Sequence, residues 1–276
     1  MLKKIIKILI SLIILLLLAI CYMFIEPYWL QIKKIDITDE DIPEAFHDIK
    51  IVFLADIHHG PFYSIERVRK LVNTVNSLKP HMIFLGGDYV YRDAKYIKPV
   101  FEELKNLYAP DGKFGVMGNH DHWQDKNLTL QSMKEAGITD LDNNSMWIYK
   151  NGEKIKIGGV GDVMTDTQDI NPTVQDVKEK DFVILLSHSP DYAEELNNYK
   201  IDMMLSGHTH GGQVTFFGLW TPFIPSKYGD KYRTAIINTE YTKVIVSNGI
   251  GTVIKPVRFC ARPQILVIYL RRSVKQ

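Results

Sequence analysis

The sequence predicts an α/β fold behind one N-terminal transmembrane helix. Three observations predict it: a long apolar run near the N-terminus, many short apolar runs that end in polar residues, and a helical pattern between the first two of those runs. The chain has 276 residues, which is enough for one large globular domain after the helix.

The first element is the membrane span. Residues 8–25 are apolar except for Ser11, and 18 residues of helix reach about 27 Å, close to the hydrocarbon thickness of a bilayer. Three lysines precede this run, at Lys3, Lys4 and Lys7. Positive residues stay on the cytoplasmic side, so we expect a single-pass membrane protein with a cytoplasmic N-terminus and an extracytoplasmic domain.

A cleaved signal peptide is the alternative interpretation of this run. Residues 19–23 (Ala-Ile-Cys-Tyr-Met) lack the pair of small residues that a cleavage site needs. The sequence therefore predicts an uncleaved signal anchor over residues 1–26. A linker with a first strand region follows over residues 27–48, and one globular domain covers residues 49–276.

The next elements are strands and helices in alternation. Short runs rich in Ile, Val, Leu and Phe predict buried strands at 50–55, 82–85, 114–117, 155–160, 182–186, 203–205, 244–246 and 265–270. Apolar residues at helical spacing predict a helix from Ile65 to Leu78, with Ser64 as N-cap and Pro80 beyond its end. Further helices are expected at 101–107 and 128–136. Strand, helix and strand in succession indicate a βαβ unit.

Composition excludes two classes of function. Lys and Arg total 33 against 32 Asp and Glu, so no excess positive charge attracts a nucleic acid, and we expect no nucleic-acid partner. Only two cysteines occur, which excludes a disulfide framework and a four-thiolate zinc cluster. A metal bound by this chain must therefore use nitrogen and oxygen ligands.

Polar residues with metal-binding chemistry follow five of the predicted strands. They are Asp56 with His58, Asp88 after two glycines, the run Gly118-Asn119-His120-Asp121, His188, and the run Gly207-His208-Thr209-His210. Each motif alone is common by chance. Together, each at a strand end, they predict one site, because functional groups gather beyond the carboxyl ends of strands in α/β folds.

The donor types narrow the choice of metal. Carboxylate, carboxamide and imidazole without thiolate favour Mn²⁺, are compatible with Fe or Zn²⁺, and fit Mg²⁺ less well. One ion needs about four ligands, and more are present. Two divalent ions that share one carboxylate would use them all.

In their order, these motifs resemble the signature of the calcineurin-like metallophosphoesterases: D-x-H, G-D, G-N-H-D/E, H and G-H-x-H. The resemblance is greatest to a membrane-anchored bacterial branch that includes phosphodiesterases similar to UDP-2,3-diacylglucosamine hydrolase. The segments that carry the branch resemblance are 26–29, 207–214, 225–229, 247–252, 256–259 and 262–263.

The resemblance implies a four-layer α/β/β/α sandwich of two mixed sheets and a catalytic role for residues 49–276. It also implies a ligand set: Asp56, His58 and His210 for the first metal, Asn119, His188 and His208 for the second, and Asp88 as the bridge. His120 matches the family's catalytic histidine. Hydroxide activated by the two metals would attack phosphorus, and His120 would stabilise the charge or protonate the leaving group.

One departure concerns the residue that orients this histidine. In Gly87-Asp88-Tyr89-Val90-Tyr91-Arg92-Asp93, Tyr91 replaces the acid found in protein Ser/Thr phosphatases, which argues against that activity. We expect Asp121, with Asp93 as the alternative, to support His120. Arg92 is a candidate for binding the substrate phosphate, and a solvated arginine is the alternative.

The substrate is the least determined feature. The tether to the bilayer favours a phosphodiester or pyrophosphate of an envelope lipid or a nucleotide-linked compound. The alternatives are an exported general phosphatase or nucleotidase, and a metal-dependent binding or regulatory module without turnover. An aromatic segment over residues 213–232 follows His210, and we interpret it either as a loop packed on the sheet or as a rim that meets the substrate's lipid or nucleoside part.

Overall fold

Two six-stranded β-sheets form the centre of the molecule in the computed structural model, which describes residues 1–197 and 200–273. The first sheet contains β1 (Gln31–Asp39), β2 (Lys50–Leu54), β3 (Met82–Leu85), β4 (Lys113–Gly115), β5 (Thr139–Asp140) and β12 (Gln264–Arg272). The second contains β6 (Asn144–Lys150), β7 (Glu153–Gly159), β8 (Val183–Leu186), β9 (Met203–Ser206), β10 (Ala235–Asn238) and β11 (Lys243–Val246).

Both sheets are mixed, and their central strands are parallel. The first has the order β1-β12-β2-β3-β4-β5, in which β2, β3, β4 and β5 run parallel and β12 is antiparallel to β2. The second has the order β10-β11-β9-β8-β7-β6, in which β7, β8, β9 and β11 run parallel. The carboxyl ends of these parallel strands are where the sequence predicts the site.

The segment 27–48 is an integral part of the first sheet. Its strand β1 pairs in parallel with β12 over the whole length from Gln31 to Asp39, and its side chains Ile42 and Phe46 are fully buried in the core between the sheets. The segment therefore contributes strand β1 and buried side chains to the globular domain.

Apolar residues alternate along the central strands and so fill two layers. In β2, Ile51 and Phe53 belong to the core between the sheets, whereas Val52 and Leu54 face the helices outside. This period of two is the natural consequence of strand geometry when both faces are covered. It explains why these strands appear in the sequence as continuous apolar runs.

Helices cover the outer faces of the two sheets. These helices are α2 (Ile65–Ser77), α3 (Ile97–Leu104), α4 (Asn119–Glu135) and α5 (Asn171–Val174), and a further helix, α1 (Leu2–Ile25), precedes the sheets. Side chains of α2, α3 and α4 pack on the first sheet, and α5 with short 3-10 helices covers the second. The predicted four-layer sandwich is confirmed.

The helix α1 extends from the globular domain. Among the described residues, one helical segment is long and apolar enough to cross a membrane. It is Leu2–Tyr28, which consists of α1 and the short 3-10 turn after it, and its most apolar stretch has a mean hydropathy of 3.1. The carboxylate of Glu26 is fully buried and accepts the backbone N–H groups of Cys260 (2.8 Å) and Ala261 (2.6 Å). The junction between helix and domain is therefore fixed by hydrogen bonds.

Candidate active site

Loops at the carboxyl ends of five strands converge between the two sheets. The loops after β2, β3 and β4 enter from the first sheet, and those after β8 and β9 enter from the second. The structure brings together all seven residues that the sequence predicts as ligands, and each of them is buried: Asp56, His58, Asp88, Asn119, His188, His208 and His210.

A first group of ligand atoms comes from Asp56, His58 and His210. The Nε2 atoms of His58 and His210 are 3.1 Å apart, and His210 Nε2 is 3.6 Å from Asp56 Oδ1. All three ligand atoms lie within 4.8 Å of one another. Two imidazole nitrogens bound to one ion at about 2.1 Å each can have this separation, so the group is compatible with a single metal.

A second group comes from Asp88, His188 and His208. His188 Nε2 is 3.2 Å from His208 Nδ1 and 3.3 Å from Asp88 Oδ2. The other ring nitrogen of His188, Nδ1, is 2.7 Å from the carbonyl oxygen of Gly86. Such a carbonyl accepts the proton on Nδ1, so that Nε2 is the nitrogen directed toward the cluster.

Asp88 lies between the two groups. Its Oδ2 atom is 3.4 Å from His58 Nε2 and 3.3 Å from His188 Nε2. Its Oδ1 atom accepts the backbone N–H of His120 at 2.9 Å. One carboxylate thus faces ligand atoms of both groups, which is the position a shared ligand requires.

The side chain of Asn119 supplies a further donor. Its Oδ1 atom is buried and has no hydrogen-bond partner among the described residues. Buried polar atoms in proteins are nearly always satisfied. An amide oxygen left open beside a cluster of imidazoles and carboxylates therefore fits the binding of a cation, and the donor set as a whole fits divalent metals.

The loops that carry these ligands have an unusual backbone. Asp56, His58, Asp88, His208 and His210 all have φ between 48° and 67°, a region that is sparsely occupied by residues other than glycine. Backbone of this kind occurs at functional sites, where the surrounding structure holds it in place.

Two glycines make room for the ligands. A Cβ atom at Gly118 would collide with the side chains of Asp88 and His188, and one at Gly207 would collide with the Asp56 carboxylate. The glycines in the Gly-Asn-His-Asp and Gly-His-Thr-His motifs therefore allow backbone and ligand side chains to approach closely.

Burial keeps three of the imidazoles neutral. It lowers the pKa of His58 to about 3 and the pKa of His208 to about 4, and it places the pKa of His210 well below the usual range. Neutral imidazole is the form that binds metal ions. At neutral pH these three side chains are ready to act as ligands without first losing a proton.

Asp88 and His188 behave as a charged pair. Burial disfavours the charged form of each, but their mutual attraction outweighs it. It holds the pKa of Asp88 well below its usual range and the pKa of His188 well above. A negative carboxylate at this central position is the strongest attractor for cations in the cluster.

His120 stands beside the cluster rather than within it. Its ring nitrogen lies within 4.8 Å of ligand atoms of His58 and Asp88, and its ring is only partly buried. It is therefore placed to meet a group that enters from the solvent side. Burial lowers its pKa.

Two aromatic neighbours of His120 were not identified as site residues from the sequence. The ring of Tyr91 is 5.2 Å from His120 and 5.6 Å from His58, and its hydroxyl accepts the backbone N–H of Ile254 at 2.8 Å. The ring of Trp123 is 4.8 Å from His120. A usable signal existed for Trp123, since it follows His120 by three residues and so lies on the same helix face.

Asp121 binds the backbone of two of the ligand loops. Its carboxylate is fully buried and accepts three backbone N–H groups, from Asp88 (2.7 Å), Tyr89 (2.9 Å) and Gly118 (2.9 Å). Asp121 therefore joins the loop that carries Asp88 to the loop that carries Asn119. The alternative, Asp93, pairs with Lys95 in a turn.

Arg92 is the predicted site residue that the structure does not bring into the cluster. Its side chain is exposed, and its guanidinium lies over the rings of Phe62 (5.3 Å) and Tyr91 (5.0 Å). It is absent from the described residues that line the adjoining cavity.

A cavity of about 460 Å³ opens beside the cluster and has two different walls. One, here called the ligand wall, consists of Asp88, Asn119, His120, His208 and His210. The other part of the lining, here called the apolar wall, consists of Val214, Pro222, Phe223, Pro225, Val253, Ile254 and Val257. Lys255 is the one lysine or arginine among the described lining residues. A cavity of this size accommodates a small organic ligand.

A sandwich with carboxylates and imidazoles clustered at its strand ends defines a metal-dependent hydrolase. The sequence model of the family described as calcineurin-like phosphoesterase matches residues 49–212, more than half of the chain. The chain therefore belongs to this family, and it is a metal-dependent phosphoester hydrolase that uses divalent metal ions.

Curated relatives agree with this assignment. The chain is 32% identical to the uncharacterized metallophosphoesterase YkuE of Bacillus subtilis, over 91% of this chain and 88% of the relative. It is 28% identical to the phosphodiesterase YaeI of Escherichia coli, over 90% of each. It is 25% identical to a zebrafish (Danio rerio) transmembrane protein with a metallophosphoesterase domain, over 88% of this chain and 58% of the relative.

Solved structures share the fold. The NAD nucleotidase of Haemophilus influenzae superposes with a TM-score of 0.51 at 16% identity, covering 74% of this chain and 45% of the nucleotidase. A dimetal phosphatase from Danio rerio superposes with a TM-score of 0.50 at 10% identity, covering 82% and 94%. The chain thus spans about half of the nucleotidase and nearly all of the phosphatase.

Proposed function

We propose that this chain is a two-metal phosphodiesterase or pyrophosphatase that acts on an amphiphilic substrate at the membrane surface. Asp56, His58 and His210 hold one ion. Asn119, His188 and His208 hold the other, and Asp88 binds both. The observation that carries the substrate proposal is the apolar wall, which lines the same cavity as the ligand wall.

The central position of Asp88 supports the metal assignment. Its Oδ2 atom is within 3.4 Å of one nitrogen from each group, and the open Asn119 oxygen supplies a donor for the second ion. Two bound cations supply the charge that acidifies water and offsets the negative charge on a phosphate during attack. The ligand loops hold their donors in place beforehand, so little reorganisation is needed.

His120 has the reaction role in this proposal. It stands at the solvent side of the cluster, where its imidazole meets the oxygen atoms of a phosphate in the cavity. There it donates a hydrogen bond to the developing charge or a proton to the leaving oxygen. The ring of Tyr91 and the ring of Trp123 contact it on two sides and limit its rotation.

The apolar wall favours a substrate with a lipid part. Contact of a lipid chain with apolar surfaces such as Phe223 and Ile254 is favourable, because it removes apolar area from water. A small soluble phosphate ester has no apolar chain to make this contact. Lys255 provides a positive charge at the same cavity for a second phosphate or an acidic head group. A lipid-linked diester or a UDP-linked lipid, as in UDP-2,3-diacylglucosamine, combines these features.

We place residues 1–26 in the membrane as an uncleaved anchor and residues 49–276 outside as the catalytic domain. Lys3, Lys4 and Lys7 precede the apolar run, which favours a cytoplasmic N-terminus. The relative named as a transmembrane protein is consistent with an anchored catalytic domain.

The test compares three substrates with the full chain in detergent micelles and Mn²⁺. Bis-p-nitrophenyl phosphate is a diester, p-nitrophenyl phosphate is a monoester, and a UDP-linked acylated sugar carries the lipid part. We expect diester hydrolysis to exceed monoester hydrolysis and the lipid-linked compound to have the lowest KM. Preference for the monoester would overturn the proposal in favour of a general phosphatase or nucleotidase.

A further inference from the structure

A tight turn next to the cavity presents apolar side chains to the surroundings. In the segment 216–220, here called the aromatic turn, the N–H of Phe216 bonds to the carbonyl of Trp220 (2.6 Å), and the N–H of Leu219 bonds to the carbonyl of Phe216 (3.0 Å). The side chains of Phe216, Phe217, Leu219 and Trp220 are 57–78% exposed. A contiguous exposed apolar patch on a folded domain marks an interaction surface.

The aromatic turn is joined to the end of the anchor helix through residues 258–259. The ring of Phe217 is 5.9 Å from the ring of Phe259, which is 5.7 Å from the ring of Tyr22 in α1. The backbone N–H of Arg258 bonds to the carbonyl of Met23 at 2.9 Å. The turn therefore sits beside the last turns of the helix that is to cross the membrane.

The contact between Phe259 and Tyr22 places the aromatic turn near the end of the anchor helix. Tyr22 precedes the last residue of the apolar run, Ile25, by three positions, which is about 4.5 Å along a helix. Phe259 contacts the helix at that level, on the membrane side of its end. Phe217 packs on Phe259 and therefore lies near the end of the apolar run.

Two further pairs mark the same interface. Tyr28 and Trp29, just beyond the helix, are exposed, and the guanidinium groups of Arg67 and Arg262 lie 4.4 Å and 4.5 Å from their rings. Aromatic and basic residues are typical of the head-group region. Because Glu26 binds Cys260 and Ala261, the domain cannot turn freely about the helix.

From these contacts we infer that the aromatic turn inserts into the leaflet on the side of the globular domain, as a second membrane contact beside the anchor. The occupant of this apolar surface is the bilayer itself. The inference concerns where the domain sits and holds for any substrate.

One consequence concerns the cavity and rests on the proposed function. Phe223 and Ile254 belong to the apolar wall and are also more than half exposed. The hydroxyl of Thr221, next to the aromatic turn, donates to the carbonyl of Phe223 at 2.8 Å. The aromatic turn and the exposed part of the apolar wall are thus close together along the chain, which would give a lipid a short path from the leaflet to the cavity.

The test measures the depth of the turn directly in the full chain. Cys21→Ala and Cys260→Ser remove the native thiols, and Leu219→Cys carries a nitroxide spin label in phosphatidylethanolamine–phosphatidylglycerol vesicles. A label at Tyr108→Cys is the matched control. Tyr108 is 71% exposed and lies between α3 and β4, at the opposite end of the sheet from the metal ligands.

We expect the label at 219 to be relaxed strongly by oxygen and weakly by a water-soluble nickel complex, with the reverse at 108. Equal relaxation of both labels by the nickel complex would overturn the inference. Thermal unfolding of each labelled protein, compared with the unlabelled one, shows that the fold is retained. The readout needs no turnover, so failure of the proposed substrate leaves this test intact.

A second variant tests the effect on function. Phe217→Ser with Leu219→Ser changes two residues outside the described cavity lining. We expect unchanged hydrolysis of bis-p-nitrophenyl phosphate and several-fold slower hydrolysis of a lipid diester in vesicles. Equal rates on the vesicle lipid would contradict a role for the turn in substrate entry.

Discussion

The two walls of the cavity differ in how the chain builds them. The ligand wall comes from loops that directly follow buried strands. Four of its five side chains are buried, and the carboxylate of Asp88 also accepts the backbone N–H of His120. The apolar wall comes from irregular segments, and Phe223 and Ile254 remain more than half exposed. We therefore expect the reaction to depend on the ligand wall and the choice of substrate to depend on the apolar wall.

The largest expected effect breaks the ligand wall at its centre. Asp88→Asn removes the charge that both metal groups face, so kcat/KM for bis-p-nitrophenyl phosphate falls by about 10³-fold or more. Asp93→Asn, a carboxylate paired with Lys95 in a turn, is the matched control and keeps wild-type activity. Comparable rates for the two variants would contradict the central position of Asp88.

The next largest effect is expected at His120, and it distinguishes a loss of catalysis from a loss of metal binding. His120→Gln removes the proton donor but none of the proposed ligands, so kcat falls by about 10²-fold while metal content stays the same. His122→Gln is the control, because the ring of His122 faces Asp166. A change in KM alone, with kcat retained, would show that His120 only binds substrate.

Asp121→Asn tests whether the buried carboxylate positions the loops. In the wild-type protein, three backbone N–H groups bond to the two carboxylate oxygens of Asp121. Asparagine has only one side-chain oxygen, so we expect the loops that carry Asp88 and Asn119 to be held less firmly. Mn²⁺ affinity falls by about 10- to 100-fold, as measured by calorimetric titration, and saturating Mn²⁺ restores kcat. A kcat that stays low at saturating metal would instead assign Asp121 a direct part in catalysis.

A smaller effect is expected from the apolar wall, and it is selective. Phe223→Ala removes apolar contact worth about 1–3 kcal/mol, so KM for a lipid-linked diester rises by about tenfold. Hydrolysis of bis-p-nitrophenyl phosphate stays unchanged. Tyr149→Ala, an exposed aromatic on β6, is the control. An equal loss of kcat/KM on both substrates would contradict a role of the apolar wall in selecting the lipid part of the substrate.

The smallest effect concerns Arg92. Its guanidinium lies over Phe62 and Tyr91 outside the cavity, so Arg92→Ala should leave kcat and KM for both diesters unaltered. A clear rise in KM for every phosphate ester would instead support the hypothesis that Arg92 binds the substrate phosphate.

The fold could be predicted wherever strands are buried on both faces. All eight predicted strands are present, because continuous apolar runs are distinctive. The strands β5, β6 and β10 were not predicted, and β1 was expected only as a strand region somewhere within 27–48. All four lie at sheet edges, and they are short or mix polar with apolar residues. Their place depends on partners distant in sequence, such as β12 for β1.

The candidate site also has features that the sequence predicts and features that it does not. The ligand residues could be predicted because strand ends bring them to one edge of the fold. The left-handed backbone at His58 and His210 and the role of Asp121 beneath the loops leave no pattern in the sequence. The apolar wall was anticipated only in part. The sequence offered residues 213–232 as one possible rim of the site, whereas residues 253–257 were not expected there, because the two segments meet only through tertiary packing.

The measurement that tests the central claim most directly is the Mn²⁺ content of the full chain, combined with its electron paramagnetic resonance spectrum. The account predicts two Mn²⁺ per chain with exchange coupling between them, because one carboxylate binds both. It predicts loss of that coupling in Asp88→Asn. One ion per chain, or two uncoupled ions in the wild-type protein, would contradict it.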